Sequence, residues 1–485
     1  MRYKKAAHAA EQQKKKTGKG AVTAPFSKDD VLTIRIDDIG RDGEGIGRAP
    51  GGYTLFVKDA VIGDTARVMI MKAGKSYGYA KLLSVEEPSP FRTEPRCPIA
   101  RQCGGCQIQA LSYERQLAFK TGKVRGDLIR IGGFSEEFVD GILRPAAGME
   151  DPWRYRGKAQ VPVGMRKDAY VYGFFAGRTH DIIPMGDCLI SPPENKAILD
   201  AVIAYMEAAG VRPYDETTGE GLIRHVLIRT GFRTGEIMVC LVINGEKVFK
   251  SDKLVEALLA ANAGVKTVLL NHNTENTNVV LGKKNTVLFG DGYIEDVLLG
   301  KRFRISPLSF YQVNHDGAER LYAKAHEFVK RGPHNVVMDL YCGAGTIGLT
   351  MAEDVKTLIG VEIVPEAVED AKLNAQLNGV QNARFLCADA AKAAETLEAE
   401  GVAPDVIVVD PPRKGCDEAL LQTVAKMAPQ SIVYVSCDPA TLARDCAVLH
   451  ELGYHVDEVC PYDMFPRTAH VETVVLMTKT ERKEA

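Results

Sequence analysis

Read for apolar and polar positions alone, the chain changes character three times. Between Val31 and Val85, short alternating runs such as Val31-Leu32-Thr33-Ile34-Arg35-Ile36, Tyr53-Thr54-Leu55-Phe56-Val57 and Ala66-Arg67-Val68-Met69-Ile70 are separated by glycine-rich turns, the pattern of a small antiparallel β-barrel. A proline-rich hinge at Pro88 to Pro98 leads to a group of cysteines and a helical stretch around Tyr113 to Ile131. From Arg154 to about Phe289 the sequence is mostly strand-like, with helices predicted at Glu194 to Ala209 and near Asp252 to Ala261, which makes an α+β middle domain. Beyond Ser306, strand, loop and helix alternate regularly, as in a doubly wound parallel sheet. The expected organisation is multidomain: a basic flexible tail over 1–24, a small OB-like β-barrel over 25–88, a cysteine-bearing segment and α+β central domain over 89–295, and a C-terminal α/β Rossmann-like domain over 296–485. Chemistry is expected at the strand ends of the last of these.

Composition narrows the class. Of 485 residues, 45% are apolar and 26% charged, the make-up of a soluble globular protein. No run approaches the ~20 apolar residues of a membrane span, and the basic start is not followed by a signal-peptide core. A cytoplasmic protein without a membrane partner is expected. The net charge of -2 hides Arg2, Lys4, Lys5, Lys14, Lys15, Lys16 and Lys19, opposed in the first twenty residues only by Glu11. Such a tail can hold a polyanion, and serves equally well as a solubilising extension. Eleven cysteines are an odd count for a disulfide framework, so each has to be placed.

Strand Val336-Val337-Met338-Asp339-Leu340 runs into Tyr341-Cys342-Gly343-Ala344-Gly345-Thr346-Ile347-Gly348 and then a helix, and a second strand ends in Glu362. Gly343 and Gly345 let a ligand approach the backbone, and Glu362 can accept both hydroxyls of a ribose. This much fits a nicotinamide dinucleotide and S-adenosylmethionine alike. Asp389 ends a third strand and Asp410 a fourth. A rim of carboxylates suits a cationic sulfonium, which carries no pyrophosphate, better than a dinucleotide. Asp389 reads equally well as a helix N-cap.

Asp410-Pro411-Pro412 is followed by Arg413, not by an aromatic that would stack on a base during amine methylation. Carbon methylation is left, and it needs a nucleophile. Strand Ser431 to Val435 delivers Ser436-Cys437-Asp438-Pro439 to the same sheet edge. C5 of uracil does not attack a methyl sulfonium unaided; thiolate addition at C6 turns C4–C5 into an enolate whose charge reaches C5. A base must then remove the C5 proton, and Glu472, in His470-Val471-Glu472-Thr473 at the head of the last strand, is the candidate. Cys240, Cys387, Cys416, Cys446 and Cys460 read as structural or surface thiols, and Cys342 as a small loop residue.

Phe310-Tyr311-Gln312-Val313-Asn314, Asp339-Leu340-Tyr341-Cys342-Gly343-Ala344-Gly345, Asp410-Pro411-Pro412-Arg413, Ser436-Cys437-Asp438-Pro439 and His470-Val471-Glu472 occur in one order. Together they resemble the RNA uracil-5 methyltransferase family, over most of the chain. The resemblance implies a class I methyltransferase fold, Cys437 as nucleophile, Glu472 as proton acceptor, and Gln312, Tyr341, Glu362 and Asp410 as contacts to S-adenosylmethionine. Tyr311 stands where many relatives have Phe, and Thr346 where some have Asn. The stretch Val31 to Val85 looks like the TRAM domain of ribosomal-RNA members, so 23S ribosomal RNA is the expected substrate and transfer RNA the alternative; a monomer is expected.

Cys97-x5-Cys103-Gly104-Gly105-Cys106 groups three thiols, and Cys188 is the fourth candidate. Four sulfurs suit tetrahedral zinc or a cubane cluster, and spacing leaves both open. Resemblance to the ribosomal branch implies a [4Fe-4S] cluster that ties the hinge to the middle domain. Competing readings are an iron-sulfur RNA-binding or redox-sensing protein with an inactive methylase domain, a nicotinamide oxidoreductase, and cytosine-5 methylation, which lacks a second cysteine before Asp410. Attack at C6 requires the uridine to leave its stack, and the barrel, the middle domain and Arg413 or Lys414 are the expected RNA contacts.

Overall fold

The computed structural model describes residues 24–177, 179–277 and 279–480; the basic tail expected over 1–24 lies, apart from Ala24, outside the described residues. The chain divides into two compact units, Met1–Thr93 and Glu94–Ala485. In the first, β1 (Val31–Ile39), β2 (Gly45–Ala49), β3 (Tyr53–Lys58), β4 (Thr65–Ala73) and β5 (Tyr77–Glu87) close into a barrel in the order β1-β2-β3-β5-β4. Alternation fills its interior with Ile34, Ile36, Leu55, Val57, Val68 and Ile70, all buried. One expectation fails in detail: β3 and β5 pair parallel, so the barrel is not wholly antiparallel. Arg41 and Arg48 are both exposed, Arg48 within β2.

The described residues of the second unit hold two seven-stranded sheets and one two-stranded sheet. In the first, β6 (Lys158–Arg166), β7 (Ala169–Phe175), β8 (Ile182–Pro184), β9 (Ile223–Thr230), β10 (Ile237–Ile243), β11 (Val265–His272) and β12 (Lys284–Phe289) run in the order β12-β11-β10-β9-β6-β7-β8. Every residue of β10 is buried, as a strand covered on both faces requires. Helices that will be called α3 (Glu194–Ala209) and α4 (Ser251–Ala261) cover one face through Ile198, Val202, Leu254 and Leu258. The other face packs Leu227, Met238 and Leu269 on Ile294 and Ile305 of the hairpin β13 (Ile294–Leu298) and β14 (Lys301–Ile305). The boundary expected between 295 and 296 therefore falls inside a strand.

In the second sheet, β15 (Val336–Leu340), β16 (Thr357–Glu362), β17 (Ala383–Cys387), β18 (Val406–Val409), β19 (Ser431–Ser436), β20 (Tyr454–Tyr462) and β21 (Glu472–Lys479) run in the order β17-β16-β15-β18-β19-β21-β20. The first five are parallel; β21 enters antiparallel between β19 and β20. Its helices are α5 (His315–Val329), α6 (Thr346–Met351), α7 (Pro365–Leu377), α8 (Ala390–Ala399), α9 (Glu418–Met427) and α10 (Pro439–Glu451). Two earlier helices, α1 (Tyr113–Arg130) and α2 (Glu136–Ile142), join this layer: Val124, Leu128, Val139 and Ile142 share a core with Met338, Ile407 and Tyr434. Sequence order assigned them to the middle domain; apolar packing assigns them to the last. Among the described residues no helix is long and apolar enough to cross a membrane.

Candidate active site

The strand order reverses between β15 and β18, which opens a crevice at their carboxyl ends. Tyr341, Gly343 and Gly345 turn the chain out of β15 there, all three with positive φ (62°, 55° and 80°). A Cβ at Gly345 would stand 2.9 Å from Leu349 Cδ1, so glycine is required twice over at that position. Glu362, at the tip of β16, accepts the Gly343 N–H at 3.1 Å through Oε2, and the Ile363 and Val364 N–H groups at 2.8 and 2.9 Å through Oε1. The acid and the glycine loop are thus one hydrogen-bonded unit. Asp339, inside β15, accepts the Gly348 N–H at 2.9 Å and fixes the start of α6. Asp389 realises its capping alternative: it accepts the Lys392 N–H at 2.9 Å at the head of α8 and is otherwise exposed.

Cys437 lies between the end of β19 and Asp438, the N-cap of α10, whose carboxylate accepts the Ala440 N–H at 3.0 Å. Because β21 runs antiparallel to β19, its first residues lie beside the last residues of β19; Ser436 is the partner of Thr473. Cys437 and Glu472 therefore meet. A parallel strand would have carried Glu472 to the opposite edge of the sheet. Glu472 is 4% exposed, and burial, then Asp410, push its carboxyl up to about 8, with Arg413 opposing. Asp410 is pushed up to about 7 by burial. The Cys437 thiol rises to about 12 through burial, then Glu472 and Asp410, while Arg413 favours the thiolate. The geometry thus gathers a half-buried thiol, two carboxyls and one guanidinium at the crevice.

Gln312, in the loop before α5, is joined to this group by a residue that no motif announced. Tyr322 is buried in α5, its hydroxyl near Gln312 and Thr346 and in the field of Asp410 and Glu472. Asp445 was missed as well. Buried in α10, it accepts the Cys416 N–H at 2.8 Å and the Tyr434 O–H at 2.6 Å and pairs with Arg444, which pins the turn after Arg413 to the helix after Cys437. A buried polar residue on an apolar helix face was the available signal for both.

The four expected cluster cysteines come together from two stretches of chain. Cys97, Cys103, Cys106 and Cys188 are all partly buried, and the Cys106 thiol is pushed up to about 12 by burial, then by Cys188, Cys103 and Cys97. Their segment also reaches the loop that leads to Glu472. The Ile108 N–H donates to the Arg467 carbonyl at 3.0 Å, Tyr155 Oη to the Pro466 carbonyl at 3.0 Å, and the buried Lys120 of α1 pairs with Asp463.

Comparisons with known proteins agree with this geometry. Residues 259–480 match the family model described as tRNA (Uracil-5-)-methyltransferase, and residues 28–83 match the TRAM domain. An uncharacterized RNA methyltransferase of Halalkalibacterium halodurans is 46% identical over 454 residues, covering 94% of this chain and 98% of that one. One from Clostridium tetani is 45% identical over 454 residues, covering 94% and 97%. Among solved structures, the tRNA (uracil-54, C5)-methyltransferase of Pyrococcus abyssi in complex with S-adenosyl-L-homocysteine is similar in fold, with a TM-score of 0.73 at 24% identity, covering 92% of this chain and all of that one. Catalytic-domain model, barrel domain and full-length relatives agree, and the chain belongs to the RNA uracil-5 methyltransferase family, enzymes that methylate C5 of uridine in RNA with S-adenosylmethionine.

Proposed function

We propose that this enzyme methylates C5 of a uridine in 23S ribosomal RNA through a covalent bond between Cys437 and C6 of the base. The observation that carries the mechanism is the antiparallel register that sets Glu472 beside Cys437. Bound S-adenosylmethionine supplies an electrophilic methyl group on a cationic sulfonium. Gln312, Tyr341, Gly343, Gly345, Glu362 and Asp410 would hold it, with Asp389 at the rim, their acids answering its charge. The N-terminus of α10 and Arg413 favour the Cys437 thiolate. Its sulfur bonds to C6, and the C5–C6 electron pair moves into a C4 enolate. C5 then takes the methyl group as the S–CH3 bond breaks and S-adenosylhomocysteine leaves, and Glu472 takes the C5 proton. Elimination returns the electron pair to sulfur and frees both thiolate and product. With its carboxyl held near 8, Glu472 is in its proton-accepting form at mildly alkaline pH.

The barrel together with the four-cysteine set supports ribosomal RNA and a [4Fe-4S] cluster on Cys97, Cys103, Cys106 and Cys188. The role of that cluster is to tie chain segments together, and zinc on the same four thiols is the alternative. The description of the matching family model favours a second reading, transfer RNA. Mapping 5-methyluridine in a deletion strain tests the substrate. The expected outcome is loss from 23S ribosomal RNA, restored by the parent gene and not by Cys437→Ala; loss from transfer RNA with ribosomal RNA unchanged would overturn the ribosomal assignment.

A further inference from the structure

A small cleft, partly open to solvent, is lined by residues of β6, β9, the β13–β14 hairpin and the loop Tyr311-Gln312-Val313. Lys158 and Arg229 both line it, and they are directly opposed partners on the antiparallel pair β6–β9. Like charges directly opposed on a sheet destabilise it, and burial sharpens the cost, since Arg229 is 3% exposed. Arg229 gives one terminal nitrogen to the carbonyls of Pro307 and Ser309, while its Nε is buried without a partner. Burial, then Arg229 and Arg156, pull the Lys158 ammonium down to about 8, and no acid is among the charges acting on it. Arg156, two residues before Lys158 and outside β6, forms an isolated bridge with Asn314. The carboxylate at this end of the hairpin, Asp296, is occupied: it accepts the Phe232 and Arg233 N–H groups at 3.1 and 2.9 Å and the Tyr311 hydroxyl at 3.4 Å. Lys158 and Arg229 thus face one cleft whose wall includes Gln312, with Arg156 near Lys158 and no carboxylate among the charges acting on Lys158.

We propose that Arg156, Lys158 and Arg229 form a binding site for a phosphodiester of the RNA beside the target nucleotide. The inference rests on RNA being the substrate and goes on to say where its backbone is gripped. A uridine that leaves its stack needs its flanking phosphate held while the base turns inward, and a phosphate offers several oxygens to donors arriving from two strands. The test uses full-length Lys158→Gln, an unmodified ribosomal RNA transcript and, in parallel, a transfer RNA transcript, titrated over a range of salt. The expected result is RNA affinity about ten-fold weaker at low salt and a slope of log K against log salt shallower by about 0.7 to 0.9, with cofactor affinity unchanged. Lys158→Arg restores binding, and Lys158→Gln without RNA melts no lower than the parent because the repulsion with Arg229 is gone. Unchanged RNA affinity and slope would overturn the proposal, as would weakened cofactor binding with RNA binding intact. Adduct formation at Cys437 at saturating RNA is the separate readout of the covalent mechanism; its absence in the parent would contradict that mechanism and leave the phosphate site standing.

Discussion

At the scale of residues, three carboxyl groups are held above the ordinary carboxylate range: Asp339 and Asp410 at about 7 and Glu472 at about 8, with burial the leading cause in each. Folding therefore favours their protonated forms. The stability this contributes is fully present below about pH 4, where the unfolded chain is also protonated, and is lost as pH rises through 7 to 8. A cationic ligand in the crevice opposes that loss. The expected outcome is that the cofactor-free protein melts at falling temperature from pH 6 to pH 9, and that saturating S-adenosylmethionine flattens the decline; calorimetry across that range checks it. Cys437, Glu472, Glu362 and Asp410 were legible in the sequence because each ends or begins a strand, and strand ends converge in this fold. Tyr322 was not: it sits within an amphipathic helix and reads as core until the fold shows its hydroxyl near Gln312 and Thr346.

Among elements, the contact between Cys437 and Glu472 depends on the direction of β21. Alternating strands and helices predict parallel neighbours, and that held for β15 to β19. The last two strands are joined without a helix by the loop from Asp463 to Val471, which dictates an antiparallel pair. The helices at Tyr113–Arg130 and Glu194–Ala209 emerged close to their expected bounds, since their apolar periodicity is local. The docking of α1 and α2 on the C-terminal sheet is non-local and left no mark in the pattern. The glycine loop adds an element-scale test at Gly348. A Cβ there would stand 2.9 Å from Asp339 Oδ2 and 3.0 Å from Leu358 Cδ1, so α6 would have to move off β15. Gly348→Ala is expected to destabilise the fold by about 1–3 kcal/mol and to weaken cofactor binding by an order of magnitude, read by chemical denaturation and titration calorimetry. Wild-type values for both would show that the loop tolerates displacement.

Over the whole molecule, the cysteine segment is a brace. It touches the middle sheet, where Cys103 bridges Ala176, and holds the loop before Glu472 through Ile108 and Arg467. Anaerobic reconstitution is expected to give iron and labile sulfide in equal amounts. Cys103→Ser should lose both, melt at lower temperature and turn over more slowly, with cofactor affinity kept because the glycine loop lies on other strands. Zinc without iron would contradict the cluster assignment. The most direct test of the central claim joins RNA grip, base extrusion, cofactor and thiol in one reaction. Glu472→Gln, incubated with RNA and S-adenosylmethionine and digested for mass spectrometry, is expected to turn over about 10²–10⁴-fold more slowly and to accumulate a methylated uridine bonded to the Cys437 peptide, while Cys437→Ala binds RNA, forms no bond and does not turn over. No protein–RNA bond in Glu472→Gln, or methylation by Cys437→Ala at the parent rate, would contradict the account.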